Sequence, residues 1–144
     1  MSEVVLDSGI LIASVFLETL TPQAQQLLNQ WRLDNTLLHA PTLLHYEVVA
    51  VARKAVYQQR VTARESLRAR DRLLSYPVNL HFDEALLKRG YELATQYNRP
   101  TAYDAQYLAL AERLACEFWT ADERMFNAIR TEFSDIRWLG NWQV

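Results

Sequence analysis

The sequence predicts an α/β fold, a central parallel sheet of about four to five short strands with helices on both faces. Three observations carry this. Short apolar or alternating runs recur at Val4–Leu6, Leu37–Leu38, Val78–Phe82, Glu117–Trp119 and Ile136–Trp138. Stretches with helical periodicity separate them, so successive strands need crossover connections and run parallel. With only three Gly and four Pro in 144 residues, the chain is poor in the turns that a loop-rich or hairpin-built fold needs.

Taken in order, Val4-Val5-Leu6 reads as a buried strand interrupted by Asp7, with Ser8-Gly9 and a further apolar run behind it. Pro22 stands near the start of a helix reaching about Asn35, a position where proline is tolerated. Leu37-Leu38 is the second strand, ended by Pro41, and Thr42 is expected to cap a long helix to about Gln59. The stripe of that helix is Leu44, Val48, Val51 and Ala55. Thr62-Ala-Arg-Glu65 forms a capping box that opens another helix. Val78–Phe82 alternates as a third strand, and Asp83 starts a helix to about Tyr97. Pro100 interrupts, and Thr101 is expected to restart a helix to about Ala115. Glu117–Trp119 is the fourth strand, Thr120-Ala-Asp-Glu123 reads as a second capping box, and Ile136–Trp138 is the last strand.

The length suits one domain over residues 1–144. Half of the residues are apolar, with four Trp, seven Tyr and five Phe, enough for a core that needs no disulfide. Cys116 is the only cysteine, which excludes an internal disulfide or a cysteine zinc cluster and fits a reducing compartment. His39, His45 and His81 lack metal-pair spacing and read as ordinary structural or surface residues. The first residues have neither the basic start nor the apolar stretch of a signal peptide, and no run approaches membrane length. A soluble, cytoplasmic protein is expected. Residues 53–72 hold Arg53, Lys54, Arg60, Arg64, Arg68, Arg70 and Arg72 against Glu65 and Asp71, a local charge of +5 in a chain whose total is −2. One basic region therefore sits on an acidic protein. Arg60, Arg64, Arg68 and Arg72 recur every four residues and form one ridge if the helix continues through them. Such a ridge can contact a polyanion or a partner protein, or can simply be solvated.

Four acids stand out. In parallel sheets, sites form at the carboxyl ends of the strands, and both Asp7 and Asp122 follow strands. Asp104 falls at the centre of the stripe formed by Tyr107, Leu108, Ala111 and Ala115, with no cation at helical contact spacing. A carboxylate there is costly unless paired or bound to metal. It can also be a first-turn acid favoured by the helix dipole. Asp7 can cap the next helix. Glu47 borders its stripe and can be a surface residue. Asp122 lies in a first turn already served by Thr120 and Glu123, which leaves it free for a site. Four carboxylates at one edge would form an all-oxygen centre suited to Mg²⁺ or Mn²⁺.

These pieces together resemble the PIN-domain family, and within it the VapC-type toxins of bacterial toxin–antitoxin pairs. The matching segments are Val4-Val5-Leu6-Asp7-Ser8, Pro41 followed by Glu47, Tyr103-Asp104-Ala105 heading the helix with Leu108-Ala109-Leu110-Ala111, and Trp119-Thr120-Ala121-Asp122, 18 residues beyond Asp104. The resemblance implies a PIN-like fold and a four-acid Mg²⁺/Mn²⁺ site that cleaves RNA to a 5′-phosphate. Asp7, Glu47 and Asp104 match its three most regular acids and Asp122 the more variable fourth. Thr120 matches a hydroxyl residue that hydrogen-bonds within the site. A homodimer and an antitoxin that blocks the cleft are also implied. The early Gly9 leaves the shape of the first turn open.

The expected chemistry is metal-assisted hydrolysis of a phosphodiester. No GxSxG elbow, P-loop or GxGxxG fingerprint supports another common chemistry. A phospho-acceptor receiver domain would want adjacent acids after the first strand and a late lysine, but Lys88 is the last lysine and precedes Asp104. A PIN fold kept only for interaction is the remaining alternative, and the retained acids speak against it.

Overall fold

Strand β1 (Glu3–Leu6) forms the middle of a five-stranded sheet in a computed structural model that describes residues 2–143, so the two ends of the expected 1–144 domain lie outside it. The other strands are β2 (Leu37–Pro41), β3 (Asn79–His81), β4 (Glu117–Thr120) and β5 (Ile136–Trp138). Their order is β3-β2-β1-β4-β5, and every pairing is parallel. The helices are α1 (Ser8–Val15), α2 (Thr21–Leu33), α3 (Leu43–Tyr57), α4 (Ala63–Leu74), α5 (Glu84–Gln96), α6 (Tyr103–Leu114) and α7 (Glu123–Ile129). A single 3-10 turn, Leu139–Asn141, follows β5.

Alternation along the strands gives the sheet two apolar faces. Trp119 of β4 meets Trp31 of α2 edge-on at 5.7 Å, which puts α2 on one face. Phe118 stacks on Tyr107 of α6, which puts α6 on the other. The fully buried Val5, Leu6, Ile10, Leu11, Leu110 and Phe118 mark the core between them. Among the described residues no helix is long and apolar enough to cross a membrane.

The helix ends show how a chain with so few glycines stops its helices. Asn35, Gln59 and Asn98 take φ values of 56°, 59° and 51° just past α2, α3 and α5. This is the left-handed C′ role that Gly usually fills and Asn tolerates. Ala115 does the same after α6 at φ 52°, and so is an exposed cap rather than part of the buried stripe. The capping box at Thr62 and Glu65 is formed in full. Thr42 precedes α3 but makes no side-chain cap, because its own backbone is already helical. The buried stripe of α3 runs through Ala52 instead of Val51. Thr101 lies outside α6, which begins at Tyr103.

From β1 the chain crosses outward to β2 and β3, then returns to the opposite side of β1 as β4. The crevice between the carboxyl ends of β1 and β4 is therefore a topological switch point, the place where open parallel sheets form sites.

Candidate metal centre

Asp7 sits at that switch point. Its amide donates to the Trp119 carbonyl at 3.0 Å, continuing the β1–β4 ladder by one residue and setting Asp7 beside Thr120. Thr120, fully buried, donates its hydroxyl to Asp7 Oδ2 at 2.5 Å. Asp7 Oδ1 accepts from the Ile10 amide at 3.2 Å, so Asp7 does cap α1. The Ala121 amide adds longer contacts of 3.3 and 3.4 Å. Desolvation nevertheless dominates and pushes the Asp7 pKa up to about 7, with repulsion from Glu47 adding to it. Gly9 explains its own place. A Cβ there would lie 3.0 Å from Ala121 Cβ and 3.2 Å from Asp7 Oδ1, so any larger residue would need the β4–α7 turn or the Asp7 carboxylate to yield by a few tenths of an ångström.

Glu47 comes from α3 and is recessed rather than a surface glutamate. The Tyr107 phenol donates to its Oε1 at 2.5 Å, and the Ser8 hydroxyl lies beside it. Its pKa is raised, first by burial and last by repulsion from Asp104.

Asp104 stands in the first turn of α6. The stripe behind it is buried at Tyr107, Leu108 and Ala111, but Asp104 itself is only partly covered. It also has a cation, though not at helical spacing. Arg99, in the loop before α6, places Nη2 at 3.3 Å from Asp104 Oδ2. Helical spacing could not reveal a partner that lies outside the helix.

Asp122 is the N-cap of α7, its Oδ1 accepting from the Arg124 and Met125 amides at 2.9 and 3.2 Å. The expected capping box at 120–123 is thus corrected. Thr120 is still in β4, paired with Trp138, and cannot serve as a helix cap. Its hydroxyl instead accepts from the Asp122 amide at 2.9 Å while donating to Asp7.

Charge repulsion, the smallest of the causes, links Asp7 to Glu47 and Glu47 to Asp104. The Asp122 carboxylate is turned to its own helix. Among the described residues no three His, Cys, Asp or Glu side chains come together as a group that could hold a metal ion. The donor set still fits Mg²⁺ or Mn²⁺, since Mg²⁺ keeps several waters and is usually held by one or two carboxylates together with substrate phosphate. A half-buried Asp7 with no cationic partner among its hydrogen bonds matches such an ion.

Ser8, Tyr107 and Arg99 join the site unannounced. The signal for Tyr107 lay in its type, because a tyrosine in a core stripe must find a partner for its hydroxyl. The basic residues lie elsewhere. Arg64, Arg68 and Arg72 are exposed on α4, but the left-handed turn at Gln59 sets Arg60 outside the helix, so there is no continuous ridge of four. Arg60, Arg68 and Arg72 instead line a groove beside Val15, Phe16 and Leu17, with Glu18 facing Arg60.

With this geometry in view, comparison with known proteins identifies the class. The PIN domain family matches residues 4–131, and the chain belongs to that family. Its relatives there are VapC proteins. It is 32% identical over 122 residues to Ribonuclease VapC12 of Mycobacterium tuberculosis, covering 85% of this chain and 88% of that protein. Two solved structures share the fold. A toxin–antitoxin complex from Klebsiella pneumoniae superposes with a TM-score of 0.65 at 19% identity, over 98% of this chain and 99% of that one. Mycobacterium tuberculosis VapC20, described as a sarcin-ricin loop cleaving toxin, gives 0.64 at 15% identity over 87% and 94%.

Proposed function

We propose that this chain is a divalent-cation-dependent endoribonuclease, the toxin of a toxin–antitoxin pair, acting as one domain in the cytoplasm. The carrying observation is the half-buried Asp7 carboxylate at the β1–β4 switch point, with its pKa raised to about 7 and Glu47 beside it. A carboxyl perturbed this far at the carboxyl edge of a parallel sheet is a functional-site candidate. The relative named as a ribonuclease and the neighbour solved as a toxin–antitoxin complex support the substrate and the partner.

Asp7, Glu47 and Asp104 would hold Mg²⁺ or Mn²⁺, directly or through water, and Asp122 would complete the site. When bound, such an ion supplies an activated water and neutralises charge on the phosphodiester. The chain's own residues do the rest. Thr120 fixes the Asp7 carboxylate and ties it to the start of α7. Arg99 steadies Asp104. No side chain acts as a covalent nucleophile, and the product carries a 5′-phosphate.

A homodimer would cover part of the exposed apolar surface, which includes Tyr46, Phe82, Leu87, Tyr91 and Tyr103. The antitoxin covers the acid cleft, and the arginines of α4 contact RNA backbone or that partner. The test is cleavage of RNA by the purified chain in Mg²⁺, Mn²⁺ and chelator, with Asp7→Asn alongside. Cleavage that needs the cation and is lost in Asp7→Asn is the expected result. RNA left intact by wild type under every condition would leave an interaction domain as the reading.

A further inference from the structure

Glu47 is met by two groups that are not acids. Tyr107 donates to Glu47 Oε1 at 2.5 Å, and the Ser8 hydroxyl lies beside both Glu47 and the Tyr107 phenol. Tyr107 is 2% exposed, and its ring stacks on Phe118 of β4 with centroids 6.1 Å apart and planes 13° apart. A ring packed this way cannot follow Glu47, so Glu47 must meet it. Ser8 directly follows Asp7, and Tyr107 lies about one turn beyond Asp104 on α6. The triangle therefore joins the three elements that carry Asp7, Glu47 and Asp104. A phenylalanine would fill the same space between α6 and β4. A buried hydroxyl costs free energy unless it is bonded, so its presence here points to what it bonds.

We infer that Tyr107 is a positioning residue that, with Ser8, holds the Glu47 carboxylate ready for a divalent cation shared with Asp7 and Asp104. The inference rests on the cation-site reading above. Without the phenol, Glu47 must be ordered at the moment of binding, and affinity falls.

Mn²⁺ is the probe. Free Mn²⁺, counted by electron paramagnetic resonance during titration, gives a Kd for wild type, Tyr107→Phe, Glu47→Gln and the double variant. Tyr107→Phe keeps the ring and its stack. It should weaken Mn²⁺ binding about ten-fold, the low end for a hydrogen bond to a charged group. In the Glu47→Gln background the same substitution should change Kd by less than about two-fold, because its route runs through the lost carboxylate. Ser8→Ala leaves the core ring untouched and should weaken binding in the same direction, again only while Glu47 is present, which keeps the inference testable if Tyr107→Phe folds poorly. Equal weakening in both backgrounds, or a Tyr107→Phe protein that binds as wild type does, overturns the inference alone. A wild-type protein that leaves all Mn²⁺ free overturns the cation site itself, and the inference with it.

Discussion

Asp7 and Thr120 stand 113 residues apart in the chain and share a 2.5 Å hydrogen bond at the carboxyl edge of the sheet. The same Thr120 hydroxyl accepts from the Asp122 amide, so one buried oxygen links two of the four acids. Thr120→Val is nearly isosteric but removes both bonds. It leaves the Asp7 carboxylate and the Asp122 amide short of a partner, at about 1–3 kcal/mol. Thr120→Ser keeps the hydroxyl and loses only a methyl group, about 1 kcal/mol or less. Urea unfolding in chelator should rank wild type, then Ser, then Val, and RNA cleavage should survive in Ser and fall in Val. A Val variant as stable and active as Ser would show that the hydroxyl is idle.

The raised Asp7 pKa fixes a pH dependence for the metal-free protein. Between the ordinary value of 3.8 and the folded value of about 7, the folded state binds more protons than the unfolded state. The Asp7 contribution to stability is therefore lost as pH rises through that window. Asp7→Asn should flatten the profile across it and should melt no lower than wild type at pH 8 in chelator. Thermal unfolding from pH 4 to 8 measures both. A strongly destabilised Asn variant at pH 8 would make Asp7 a helix cap and nothing more.

His81 works in the opposite direction. Its Nε2 lies 2.9 Å from Nδ1 of the buried His39, and burial, then His39 and Arg113, lower its pKa. Below the ordinary value of 6.5 the unfolded state takes up the proton first, so this contribution is lost as pH falls through that region. The difference in melting temperature between wild type and His81→Asn should shrink from pH 7 to pH 5. A difference that is constant with pH would remove the histidine pair from the account.

The arginines of α4 give a salt-dependent prediction. If Arg64 and Arg68 meet phosphate, replacing both with Ala weakens RNA binding and lowers the slope of log affinity against log salt by about 0.7 for each contact to a single strand. Binding measured from low to high salt decides this. Unchanged RNA binding with weakened antitoxin binding would assign the helix to the partner.

The elements were legible in the sequence because their signals are local. The alternating strands, the Thr62–Glu65 capping box and the Asp83 cap each depend on residues within one turn, and each is formed. Thr120-Ala-Asp-Glu123 has the spacing of a capping box too, but pairing with β5 keeps Thr120 in the sheet and leaves the cap to Asp122. Arg99 escaped a search for helical partners because it approaches Asp104 from a loop. Tyr107 read as one more core residue, since its bond to Glu47 spans 60 positions. The acids could be named from the sequence. What holds each of them could not, because those bonds are tertiary.

Calorimetric unfolding of wild type, Asp7→Asn and Asp104→Asn, each in chelator and in excess Mg²⁺, tests the cation site most directly. A ligand at about 100 times its Kd contributes roughly 2.7 kcal/mol. Wild type should therefore melt several degrees higher in Mg²⁺, and both Asn variants should gain much less while melting close to wild type in chelator. If Mg²⁺ leaves wild type unmoved and both variants are strongly destabilised in chelator, these acids are structural caps and the metal centre is contradicted.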